Sequence, residues 1–458
     1  MTILATMVVL GVLIFVHELG HFMAAKSVGI EVQRFSIGLG PKLFGFRRGE
    51  TEYVLSVIPL GGYVKMGGMD DEVMEKVEGG AEPQPRMPSP RDFDQKSLAA
   101  RAFVISAGVI MNILFAFLLF TSVVAIWGVP ELRGTRIGQV VGGALPAGTE
   151  ALAQLPIGAT IVRIGGQPVD SWGQVTSVLA EAPAGATEVV TQSPAVTVSV
   201  DLPADQDSRI RVVTAINAWL EPKVGAVNPG SPAERANMRT DDRILSVNGT
   251  KVASWYDFVE QVQSQPGNQI DLSVERGGDQ LELQVTPEPE TSVDPVTGES
   301  RTVGKIGVYP PFDDVAYRKV GIISALGYGA RQTSGTATLI LDFLGKLASR
   351  EVPASSVGSI VTIGEASGQA ARAGVDQFLQ FMALFSVNLA VLNVLPIPVL
   401  DGGHLLFLAI EGIRGRALSI EQRLRWSNVG LWILIATMFF AFYNDMMRVI
   451  RRLIPGMF

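Results

Sequence analysis

The sequence predicts an α-helical multi-pass membrane protein carrying a large β-rich insertion, on three observations. Four stretches, about Thr2–Ala25, Ala99–Trp127, Phe378–Ile410 and Trp426–Tyr443, are apolar enough to cross a bilayer, which takes about 20 residues of helix. Between the second and third, the composition changes to short Val and Ile runs broken by Gly, Pro and Asp, and a repeat appears. All three histidines fall within or beside the first and third stretches. With 47% hydrophobic and 18% charged residues, the 458-residue chain is too apolar for a wholly soluble protein of its size.

The first span, residues 1–26, has no basic leading region and no small-residue cleavage site, and it carries ionisable residues in its middle. It is therefore expected to be retained rather than removed as a signal peptide. The loop 27–98 holds Arg34, Lys42, Arg47, Arg48 and Lys65, just after Lys26. After the second span, 99–128, comes the insertion. A third span, 377–411, and a fourth, 426–445, flank a connection with Arg414, Arg416, Arg423 and Arg425. Basic residues accumulate on the cytoplasmic side, so both short connections are expected there and the insertion outside. Arg448, Arg451 and Arg452 disagree, since this topology puts them outside. No later span depends on that tail, and the two internal loops outweigh it.

Within the insertion, Ile161–Trp172 aligns with Ile244–Trp255 at a constant offset of 83 residues. That period is longer than a solenoid repeat and suits two small domains, at about 132–218 and 219–290. Residues 291–376 read as an external amphipathic or linker region; within it, Val315–Arg350 has helical apolar spacing with scattered Arg and Lys. Such a segment suits a membrane-surface helix or an amphipathic core helix.

The net charge of −7 and the lack of any long basic run exclude a nucleic-acid surface. Without cysteine there are no disulfides, thiolate nucleophiles or Cys-held metals, so a metal must rest on His and carboxylate.

His17-Glu18-Leu19-Gly20-His21 is an H-E-x-x-H motif. Its i, i+4 spacing stacks both imidazoles on one helix face, where they can share a tetrahedral zinc. Glu18 projects about 100° from His17, beside the metal, as a base for water would. Each ionisable residue at mid-membrane costs about 2.5–3.5 kcal/mol, which argues against a mere polar patch. A catalytic zinc usually takes a third protein ligand, and the third span offers Asp401 after Pro396 and Pro398, followed by Gly402 and Gly403. Proline breaks the helix there, and broken backbone at membrane depth lies against protein or a water-filled cavity. Asp401 could also cap the helix from Gly402 onward, and His404, one turn on, is a rival ligand.

These motifs resemble the RseP-type site-2 proteases, bacterial intramembrane zinc metalloproteases: H-E-x-x-H in the first span, Asn388, Asn393, Pro396, Pro398, Asp401 and Gly402 in the third, and a tandem insert between. The resemblance covers essentially the whole chain. The second repeat, with Asn228–Ala233 and Asp241–Gly249, resembles a bacterial PDZ domain, whose groove adds a peptide strand to a sheet edge. Both copies are read as PDZ-like, with packed spacers as the bland alternative. Gly38-Leu39-Gly40 resembles a short family element, and Glu52–Met66 a membrane-reentrant β-hairpin. The alternation of that hairpin would let it pair with an unwound substrate segment, or merely cover the cavity.

The resemblance implies four transmembrane helices, a membrane-reentrant β-hairpin and two external PDZ-like domains. It also implies zinc on His17, His21 and Asp401, with Glu18 as catalytic acid/base and Asn388 and Asn393 near substrate. Val109, in Ala107-Gly108-Val109, departs from the proline expected in close relatives. The implied location is the bacterial inner membrane, in contact with lipid. The implied substrates are single-pass membrane proteins already cut once outside, above all an anti-sigma factor in envelope-stress signalling, and remnant signal peptides. Two rivals are an inactive PDZ-bearing scaffold or chaperone, which would not need Glu18, and a zinc carrier, which would spread ionisable groups along a path.

Overall fold

The structure, a computed structural model, describes residues 2–69, 88–228, 230–293, 300–311, 315–350, 352, 358–416 and 418–453. The motif residue Pro229 and parts of the 27–98 and 291–376 segments lie outside them. The chain forms two compact units, residues 1–128 with 319–447 and a second built on 129–318.

The first unit is helical. Among the described residues, four helices are long and apolar enough to cross a membrane: Thr2–Ser27, Leu98–Ile126, Val375–Val394 and Glu421–Met446. We label Thr2–Ser27 α1, Val32–Arg48 β1, Thr51–Met66 β2 and Leu98–Ile126 α2. Small residues let α1 and α2 approach closely, the usual device where lipid removes any hydrophobic drive between helices. A Cβ on Gly20 would collide with the Ala107 carbonyl of α2. Large apolar side chains such as Ile3, Leu4, Phe103, Ile110 and Leu118 point outward, as lipid-facing positions do.

Strands β1 and β2 are each bent, so the hairpin doubles on itself. Phe35 pairs with both Val64 and Tyr53, and Ser36 with both Tyr63 and Val54, while Phe46 pairs with Tyr53. The result is a four-layered antiparallel ladder in the order 42–48, 51–56, 32–37, 62–66, which leaves 62–66 as an edge. The bends fall where φ is positive, at Gly38 and Gly40 in β1 (+90° and +85°) and Gly61 in β2 (+93°), a region only glycine enters freely. The turn residue Glu50 is gripped by Arg91 and by Lys26 at the end of α1, which hold its carboxyl down at about 2.

In the second unit, strands β3 (Thr160–Ile164), β4 (Gln167–Pro168), β5 (Gly185–Gln192) and β6 (Thr197–Leu202) form a sheet in the order β4-β3-β5-β6, with helix α3 (Trp172–Glu181). Strands β7 (Arg243–Val247), β8 (Thr250–Lys251), β9 (Ile270–Arg276) and β10 (Asp279–Val285), with helix α4 (Trp255–Gln263), repeat that order as β8-β7-β9-β10. The repeat thus extends to topology and to capping. Ser171 accepts the Gln174 N–H and Ser254 the Asp257 N–H, each just before a Trp that begins the helix.

The second domain runs beyond residue 290. Ile306 is 3% exposed in its core, and Val308 pairs with Val227. Val315–Arg318, read from sequence as the start of a helical segment, is instead a strand paired with Val129–Leu132. That ladder brings the two ends of the insertion together.

The first unit is completed by α5 (Ile322–Ala348), α6 (Ile360–Ala373), α7 (Val375–Val394), α8 (Asp401–Arg414) and α9 (Ile420–Leu453). Helix α5 buries a stripe of small residues, Ala325, Gly329, Thr333 and Thr336, and leaves the large apolar Ile323, Leu339 and Leu341 exposed. The third apolar stretch is two helices, α7 and α8, broken at Pro396 and Pro398 as the sequence predicts.

Candidate active site

Helix α1 places His17 and His21 one turn apart on its buried face, at 9% and 8% exposure. Asp401 arrives from the break between α7 and α8. Gly402 and Gly403 are required for its arrival, because a Cβ on either would collide with the carbonyl of Val394 or Ile397 in the returning segment. Asp401 does not cap its helix: the N-cap is Leu400, without a side-chain hydrogen bond.

The three ligand-type atoms form a nearly equilateral triangle. His17 Nε2 lies 3.2 Å from His21 Nε2, and Asp401 Oδ2 lies 3.3 and 3.5 Å from these two nitrogens. A tetrahedral zinc with bonds of about 2.0–2.1 Å demands ligand separations of about 3.3–3.4 Å. Asp401 Oδ2 is shut off from solvent and accepts no hydrogen bond among the described residues, a costly state for a buried carboxylate oxygen unless a cation claims it. Neutral imidazole and carboxylate are donors that suit zinc. These residues therefore fit the metal that the motif implies.

The back of the site is α2. His21 Nδ1 lies 2.9 Å from the Val104 carbonyl oxygen, so in the neutral ring that nitrogen carries the hydrogen and Nε2 keeps its lone pair for a metal. Gly108 makes room: a Cβ there would come 2.6 Å from His17 Cε1 and closer still to His21 Nε2. One turn on, the Asn112 amide lies 3.2 Å from His17 Nδ1.

A cavity of roughly 210 Å³ opens onto this triangle, lined also by Glu18, His404, Asn393 and the edge strand at Gly62–Val64. Gly62 lets the strand approach Glu18, for a Cβ there would sit 3.0 Å from Glu18 Cγ and 2.9 Å from the Ser36 carbonyl. The Asn393 amide lies 3.4 Å from His17 Nε2, whereas Asn388, over a turn earlier on α7, is not among the described residues lining the cavity. His404 shares the cavity but is not in the His17, His21, Asp401 cluster.

Sequence reasoning missed Val104, Gly108 and Asn112, and the ion pair between Arg101 at the start of α2 and Glu411 near the end of α8. The signal for Asn112 was there: it is an amide in an otherwise apolar run, fully buried.

Residues 5–437 match the sequence profile of peptidase family M50. Protease RseP of Yersinia pestis is 35% identical, the match covering 97% of this chain and 98% of that protein. The regulator of sigma-E protease RseP of Escherichia coli is 33% identical, with 96% and 97% covered. A candidate zinc metalloprotease of Neisseria meningitidis serogroup A is 33% identical, with 98% and 99% covered.

Proposed function

The chain belongs to peptidase family M50 and is a membrane zinc metalloprotease of the site-2 type, and from that premise we propose that it hydrolyses a peptide bond inside the transmembrane segment of single-pass membrane proteins. The observation that carries this reading is the His17, His21, Asp401 triangle, assembled within the membrane-helix unit and sharing its cavity with the edge strand 62–66.

His17, His21 and Asp401 hold the zinc in this reading. When bound, zinc polarises a carbonyl and makes water acidic enough to ionise near pH 7. Glu18, on the same helix and at the same cavity, takes the proton of the attacking water and returns it to the leaving amine. The edge strand 62–66 pairs with an unwound stretch of substrate and presents its carbonyl in extended form, since an extended chain can join a free sheet edge and a helix cannot. Asn393, and Asn388 behind it, contact the substrate backbone.

The basic loops support a topology with 27–98 and 412–425 on the cytoplasmic side, a hairpin that re-enters the membrane and two periplasmic PDZ-like domains. Relatives that bear the name regulator of sigma-E protease support a part in sigma-factor regulation, and the main substrate in this reading is an anti-sigma factor shortened by an earlier external cut. Remnant signal peptides form a second class. The insertion acts as a size filter, excluding substrates that still carry a folded external domain.

The test is to incubate detergent-purified protein with a model transmembrane substrate, with and without a zinc chelator. A cut within the apolar segment that the chelator abolishes is expected. No cut under any condition favours an inactive scaffold, and a cut that survives full metal removal contradicts the mechanism.

A further inference from the structure

Three residues of α2, Val104, Gly108 and Asn112, lie at i, i+4 and i+8 and so form one stripe along the helix. Each meets the H-E-x-x-H histidines differently. Val104 offers a backbone carbonyl to His21 Nδ1, Gly108 offers bare backbone, and Asn112 offers a side-chain amide to His17 Nδ1. We infer that Asn112 is a positioning residue for zinc, presenting its amide oxygen to His17 Nδ1–H so that Nε2 is left as the ligand atom.

Burying an amide without partners is costly. Asn112 is 0% exposed, and its Oδ1 has no hydrogen-bond partner among the described residues when Nδ2 faces His17. The two ends of an amide, an accepting carbonyl oxygen and a donating NH2, are nearly the same size, and a half-turn about the last side-chain torsion exchanges them. The two orientations belong to two forms of His17. With Nδ2 toward the ring, Nδ1 must accept and Nε2 carries the hydrogen, which bars it from a metal. With Oδ1 toward the ring, Nδ1 carries the hydrogen and the Nε2 lone pair points at the Asp401 oxygen 3.3 Å away. A metal-bound histidine almost always gives its other ring N–H to an acceptor. Val104 already does this for His21, and Asn112 supplies the matching acceptor for His17. Its backbone is held in place: the Asn112 carbonyl accepts the Ser386 hydroxyl of α7 at 2.7 Å.

This inference rests on His17 being a zinc ligand, and the experiment separates the two. Zinc affinity is measured by chelator competition, on detergent-solubilised full-length chain, for the native protein and for His17→Ala, Asn112→Leu and Asn112→Asp. Leucine keeps the bulk and removes the acceptor; aspartate keeps an acceptor and cannot donate. Asn112→Leu is expected to weaken zinc binding by about 10- to 100-fold, the usual effect of losing an outer partner, while Asn112→Asp binds at least as tightly as the native chain. The inference is overturned if Asn112→Leu stays within about threefold of native, or if Asn112→Asp loses as much as Asn112→Leu, which marks a packing role. If Asn112→Leu does not fold, the aspartate variant alone decides. Native affinity in His17→Ala instead removes the proposed site, and this inference with it.

Discussion

His17 Nε2 lies 3.3 Å from Asp401 Oδ2, although the two residues sit near opposite ends of the chain. Bringing them together requires a helix to break at Pro396 and Pro398 inside the membrane unit and to restart with two glycines pressed against its own returning backbone. A break at membrane depth leaves polar backbone to be satisfied, so it persists where it builds something.

Substituting the proposed third ligand separates the two rivals on α8. Asp401→Ala is expected to weaken zinc binding by more than about 100-fold, beyond what loss of an outer partner causes, and to abolish cleavage. His404→Ala should keep most of both, because His404 lies outside the ligand cluster. Metal analysis beside a cleavage assay checks this, and the reverse ranking would move the site by one turn.

Gly108→Ala should strip the metal without replacing any of the three proposed ligands. The added methyl would fall 2.6 Å from His17 Cε1 and against His21 Nε2, so the imidazoles or α2 must shift; overpacking of this kind costs about 1–3 kcal/mol. Zinc content well below native in a folded variant is the expected result, and native zinc content would show that the two helices can separate freely.

The edge strand offers a change that spares the metal. Gly62→Val would push on Glu18 Cγ, the Ser36 carbonyl and Ile14 Cγ2, 3.0, 2.9 and 3.0 Å from the first added carbon, with neither histidine among these nearest neighbours. Cleavage should fall at least about tenfold with zinc content unchanged; a variant that cuts at the native rate would show that the strand is only a cover.

Because the strands Val129–Leu132 and Val315–Arg318 pair, residues 133–314 can be replaced by a short linker without stretching the chain. If the insertion is a size filter, the shortened protein should cut an untrimmed substrate that the intact one ignores. If the two repeated domains are obligatory receptors for a trimmed tail, the same deletion should reduce cleavage even of a trimmed substrate. Matched long and trimmed substrates given to both forms distinguish the two.

Much of this was legible in the sequence, for identifiable reasons. The H-E-x-x-H spacing puts two imidazoles on one face by helix geometry alone, and paired prolines announce a break wherever they occur in a span. The 83-residue offset announced two domains with one topology. What stayed hidden was set by tertiary pairing. The double pairing of Phe35 depends on where the strands bend, and Ile306 joins the second core across a hairpin that no periodicity connects to it. Val315–Arg318 is too short for alternation to distinguish it from the helix that follows. Val104 acts through its carbonyl, which no side-chain pattern can reveal.

In the proposed mechanism Glu18 moves the proton while His17, His21 and Asp401 hold the metal, and a paired measurement on Glu18→Gln separates these two roles. Zinc per chain and the rate of cleavage of a transmembrane substrate are determined for the native protein and the variant under the same conditions. The account predicts native zinc content with cleavage reduced by about 10²- to 10⁴-fold, the usual contribution of a general base, because glutamine preserves shape but cannot accept the proton. Native cleavage in a zinc-loaded variant, or loss of zinc together with activity, would contradict it.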